Sequence, residues 1–188
     1  GNSRSVTDTT YDAVLVKFQP AGNKLWARKI RSKGNIDDEA SAVAVGTSGN
    51  IFICGNLGDD VFLAKFDTWG NLLWKEIVSA RGTHSCSGIA ADIQGTIFVV
   101  GTTTGIVPGN VVYDGITTNF AAHDIFVLKY LDRETSGHLE KAIQIGSTNS
   151  KDDFVTLIEA TKKVSLAHSL MPVFGLEDSY GNGIRLAQ

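Results

Sequence analysis

Asp59-Asp60-Val61-Phe62-Leu63-Ala64-Lys65-Phe66, continued by Gly70-Asn71 and Leu73-Trp74, is the stretch that decides the fold, because the chain carries it in three copies. Tyr11-Asp12-Ala13-Val14-Leu15-Val16-Lys17-Phe18 leads to Gly22-Asn23 and Leu25-Trp26. His123-Asp124-Ile125-Phe126-Val127-Leu128-Lys129-Tyr130 leads to Gly137-His138 and Leu139. In every copy an Asp precedes the Lys by five positions and an aromatic residue follows the Lys. A repeat of this length points to stacked copies of one supersecondary unit.

A second half-template follows each of the first two copies. Ala42-Val43-Ala44-Val45, Gly49-Asn50 and Ile51-Phe52-Ile53-Cys54-Gly55 align with Gly88-Ile89-Ala90-Ala91, Gly95-Thr96 and Ile97-Phe98-Val99-Val100-Gly101. A weaker third copy runs from Phe154 to His168. Each unit therefore holds four short runs rich in Val, Ile and Phe, separated by Gly/Asn turns, which is the signal of antiparallel strands A to D. The runs are apolar on both faces, so each sheet must be covered on both sides. A four-stranded blade flanked by two others supplies that environment.

The expected fold is all-β, an arc of a β-propeller built from four-stranded antiparallel blades. Its units are 11–58, 59–102 and 123–169. Residues 1–10 read as the end of a preceding blade and a linker, 103–122 as an inserted loop, and 170–188 as a partial, degenerate fourth blade. Propellers close with roughly 4–8 blades. The ring is thus expected to be incomplete within this chain, and to be completed by further blades of the same or another chain or by homo-oligomerisation.

Composition narrows the partners. With 43% apolar residues in 188, a substantial core is expected. Lys+Arg 17 against Asp+Glu 20 gives a net charge of −3 with no block of either sign, so no nucleic-acid footprint is visible. No run approaches the roughly 18 apolar residues of a spanning helix, and no targeting signal is visible in the chain. Cys54 and Cys86 are too few for a disulfide scaffold and lack metal-site spacing, which leaves compartment and redox state open.

From Asp60 to Thr103 the pattern Asp-x-Phe-x-x-Lys-Phe-Asp-x-x-Gly-Asn-Leu-Leu-Trp, then Asp-x-x-Gly-x-Ile-Phe-Val-x-Gly-Thr-Thr, resembles the bacterial-type β-propeller repeat called SBBP. The resemblance runs over nearly the whole chain and is strongest in the second unit. It implies a propeller of secreted or cell-surface proteins, usually with no known activity. The third unit departs from the pattern in having Lys141 where the strand-B Trp should stand.

Several residues are candidates for function. Lys17, Lys65 and Lys129 recur at one position of an otherwise apolar strand, where a cation needs a partner or a path to water. With strand A nearest the axis, their amines would line a channel and attract an anion; the structural alternative is pairing with acids or carbonyls of the adjacent blade. Asp12, Asp60 and Asp124 are expected to accept turn amides rather than to bind calcium, which needs several converging oxygens. Asp37-Asp38 and Asp152-Asp153 invite the same reading. Trp26 and Trp74 are expected to fill space between blades, whereas Trp69, in a turn, is a candidate contact residue. The 103–122 loop, with Tyr113 and Asp114, is the best candidate epitope because it breaks the repeat. His84, His123, His138 and His168 show no metal-ligand spacing, and no Ser sits in a nucleophile elbow. No catalytic residue, metal or cofactor is expected. The primary expectation is a non-enzymatic structural or interaction module; its rival is a ligand-binding or hydrolytic propeller, lactonase- or esterase-like, with a polar channel.

Overall fold

A computed structural model of the chain describes residues 2–4, 10–34, 36–108, 111–114, 123–145, 175–177 and 183–185. The first sheet is β1 (Asn2–Arg4), β2 (Tyr11–Phe18) and β3 (Lys24–Ile30), in that order. The second is β4 (Asp38–Val45), β5 (Ile51–Leu57), β6 (Asp60–Phe66) and β7 (Leu72–Val78), again in chain order. The third contains β8 (His84–Ala91), β9 (Thr96–Thr103), β10 (Val111–Asp114), β11 (Asp124–Asp132) and β12 (Gly137–Ile145), in the spatial order β8-β9-β11-β12-β10. A separate hairpin pairs β13 (Gly175–Glu177) with β14 (Gly183–Arg185), within the segment read as the start of a fourth unit. Among the described residues there is no helix, so none is long and apolar enough to cross a membrane.

The sheets are offset by half a repeat from the units counted by sequence similarity. Gly58, at φ 62°, and Asp59 form a two-residue turn that returns β5 directly onto β6, pairing Leu57 with Asp60. Strand D of one unit is thereby hydrogen-bonded to strand A of the next. The chain crosses between sheets instead after β3 and after β7. The second sheet consequently reads C-D-A-B and the third the same with β10 added beyond B, while in the first β1 occupies the D position beside β2. Of the 103–122 insertion, β10 is not a protruding loop: it lies parallel to β12 as the fifth strand of the third sheet.

The three sheets pack face to face. Alternation along β6 sends Phe62, Ala64 and Phe66 toward the first sheet, where they meet Ala13, Leu15 and Ile30. Val61 and Leu63 point the other way, into a core with Ile97, Val99, Phe126 and Leu128 of the third sheet. Phe62 and Phe126 are fully buried, each stabilising the stack by roughly 1.5–3 kcal/mol. Neighbouring sheets also approach closely at β4 and β8. Gly55 and Gly101 are dictated by β-bulges in the adjacent strands: a Cβ there would run into the Glu39 and Ser85 carbonyl oxygens. Cys54 on β5 and Cys86 on β8 form a disulfide that joins the second sheet to the third.

Candidate functional site

Two of the recurring lysines, Lys17 and Lys65, act between sheets, each beside a cross-strand tryptophan. Lys17 pairs with Trp26 across β2 and β3, and both reach into the next sheet. The Lys17 ammonium donates to the Thr68 carbonyl at 2.8 Å, and the Trp26 indole donates to the same oxygen at 3.3 Å. Lys65 and Trp74 repeat the arrangement one sheet further on. Lys65 Nζ lies 2.8 and 2.7 Å from the two carboxylate oxygens of Asp132, and Trp74 Nε1 donates to Oδ1 at 3.2 Å. Lys65 is only 5% exposed, a burial that a paired ammonium tolerates and a solitary one does not.

Each indole also needs a seat. The Trp26 ring lies where a Cβ on Gly70 would be, 2.8 Å from its nearest atom, and Trp74 lies against Gly137 at 2.9 Å. The turn glycine of one sheet is therefore the receptor for the tryptophan of the sheet before it. In the third sheet the device lapses: Lys129 faces Lys141 across the strands, and its ammonium pairs with Glu140 of its own sheet at 2.7 Å.

The three amines do not converge on a common point. Strand A is an interior strand of each sheet, between D and B, and not the inner margin that a lysine-lined channel requires. Trp69 is 72% exposed, with its amide donating to Asp67 and its carbonyl accepting from Arg28. Tyr113 and Asp114 fall on β10; their side chains lie outside the described residues, as do Asp152-Asp153 and His168.

Of the carboxylates at the head of strand A, Asp12 and Asp124 have side-chain partners. Asp12 accepts from Lys29 at 2.8 Å and Arg31 at 3.2 Å, and these cations, Lys29 first, hold its carboxyl below the usual range against the opposing effect of burial. Asp124 accepts from the Gln144 amide at 2.8 Å. Backbone amides donate to Asp37, Asp38, Asp67 and Asp92. Sequence reasoning missed Gln144 and Asp132. Gln144, almost wholly buried, also binds the Gly105 carbonyl and the Val107 amide, fixing the base of the insertion to β12. Asp132 corresponds to Asp67 displaced by one residue, because β11 continues its pairing with β12 as far as Asp132 whereas β6 stops pairing at Phe66. That extra residue was the available signal.

His84 completes this buried polar group, with Nδ1 2.8 Å from the Thr103 hydroxyl, which accepts from the Gly105 amide. Its Nε2 is buried without a hydrogen-bond partner among the described residues. Burial lowers its pKa from the ordinary 6.5, outweighing the opposing influence of Ala80, Asp60 and Asp59. The unfolded chain takes up the proton first as pH falls, so this contribution is complete above pH 6.5 and is lost as pH drops through the lowered folded value. Thermal melts from roughly pH 7.5 down to 5 should show Tm falling, with a shallower fall in His84→Gln. An identical slope in that variant would contradict the assignment.

The first sheet presents the receiving half of the inter-sheet device without a tryptophan in place. Gly22, at φ 86°, matches Gly70, yet nothing among the described residues lies within 4 Å of its Cβ position. Phe18 and Leu25 are 57% and 49% exposed on the same sheet, whereas Phe66 and Tyr130, which match Phe18, are buried. On β4, Val43 and Val45 are exposed, while Ile89, which matches Val43, is buried. No protein-family model matches the chain, and no curated protein is significantly similar to it.

Proposed function

We propose that this chain is an arc of a β-propeller acting as a non-enzymatic structural and interaction module, completed by a further sheet of the same repeat seated on the first sheet. The observation that carries the reading is the open seat at Gly22, set on the same sheet as the exposed Phe18, whose counterparts Phe66 and Tyr130 are buried. The occupant is a sheet carrying a Lys and a Trp as β2 and β3 do. The resemblance to the SBBP repeat supports the same architecture. The hydrolytic or ligand-channel alternative loses its main support, because Lys17 and Lys65 are engaged between sheets.

A secreted or cell-surface location belongs to this proposal. It is supported by the disulfide, since such bonds form and persist in oxidising compartments.

In isolation, the 188-residue chain should associate through the uncovered face. Light scattering is expected to show a dimer or larger species, and Phe18→Asp with Leu25→Asp should shift it to monomer. Both side chains are exposed, so the variant should keep its fold. A wild-type monomer across the accessible concentration range would overturn the association.

A further inference from the structure

The first and second sheets meet tightly along β2 and β6 but diverge at their outer margin, where β3 and β7 leave a cleft of about 450 Å³. Ile30, Phe66 and Leu72 form its apolar lining, and Arg28, Lys29, Arg31 and Lys75 its cationic walls. We propose that this cleft binds an extended acidic peptide segment. The proposal gives the interaction module a partner class and rests on that reading.

The repeat supplies the control for the charge. Had the fold required cations here, the matching positions of the next sheet would carry them, as they do for Lys17 and Lys65. Instead Arg28 corresponds to Glu76, Lys29 to Ile77 and Arg31 to Ser79, while Lys75 corresponds to Ala142 in the third sheet. Four cations therefore gather at one inter-sheet margin of a chain whose net charge is −3. Asp12 offsets part of this charge through Lys29 and Arg31. Arg28 is held in place by the Gly70 and Trp69 carbonyls, which orient the guanidinium while leaving its charge uncompensated. Lys75 makes no ion pair among the described residues and is exposed.

An extended peptide fits better than another anion because both walls are sheet edges. Among the described residues β3 pairs only with β2, and β7 only with β6. Each therefore offers an outward row of backbone donors and acceptors, the template for strand addition. Along β7, Lys75 pairs with Ala64 and Ile77 with Phe62, so both stand on the side facing the first sheet. An added strand presents every second side chain to one side, placing alternate acids against the cations.

The test is fluorescence anisotropy with a labelled eight-residue peptide alternating glutamate and valine. Binding should weaken steeply as salt is raised. Lys75→Glu and Arg31→Glu should each weaken it by about ten-fold, while Lys141→Glu, the same charge change on the third sheet, should leave it unchanged. Circular dichroism checks that each variant is folded. Absence of peptide binding, an equal loss in Lys141→Glu, or capture of a sulfated oligosaccharide in place of the peptide would overturn the proposal. Lys75→Glu should leave the association state of the chain untouched, so failure of the cleft and failure of the module reading give different results.

Discussion

Asp132→Ala should lower the free energy of unfolding by about 3 kcal/mol, and Lys65→Met by clearly less. The order follows from where the orphaned charge would be left. Removing the carboxylate strands the Lys65 ammonium, whose side chain is 6% exposed, between two sheets. Removing the ammonium leaves Asp132 at 15% exposure, nearer water and still accepting from Trp74. Taking away both ends the mismatch, so the double variant should recover much of the loss. Urea denaturation of the four proteins in a double-mutant cycle measures this directly. A coupling near zero, or a larger loss in Lys65→Met, would show that the pair does not hold the sheets together. Lys17 supplies an internal comparison, because its acceptor is the neutral Thr68 carbonyl and its removal strands no charge.

That asymmetry between equivalent lysines could not be read from the sequence, although the position itself could. The Asp-to-Lys template and the Gly/Asn turns place strands where the structure has them, because period and turn chemistry are local properties. The tryptophans were likewise expected to fill space between sheets, and Trp74 is buried against the third sheet. What escaped is non-local. Similarity between units does not reveal that the two-residue turn at Gly58 joins strands D and A into one sheet while the chain changes sheets between B and C. Nor does any pattern in 103–122 announce that Val111–Asp114 pairs in parallel with a strand that follows it by some thirty residues. The cationic cleft was hidden by attention to what recurs. Its residues are those at which the units disagree, Arg28 against Glu76 being the plainest case.

The two cysteines belong to the same class of disagreement, and from them follows the second large effect. Cys54 stands where the next unit has Val100, and Cys86 pairs with Gly101 as Ala40 pairs with Gly55. The repeat thus uses Val and Ala at these two positions elsewhere, and neither position needs a thiol to fill its space. Cys54→Val with Cys86→Ala removes the covalent link while substituting side chains the architecture already accepts. For a cross-link spanning 32 residues, the lost restriction of the unfolded chain is worth about 3–4 kcal/mol. The double variant should lose about that much stability, and reductant should lower the Tm of the wild type without affecting the variant. Both sulfurs are buried, so reduction of the native protein must await opening between the second and third sheets. Reduction should accordingly accelerate in mild denaturant, and more so in Asp132→Ala, which loosens the same interface. Two free thiols in protein secreted through an oxidising compartment would remove the cross-link and, with it, the chemical support for a surface location.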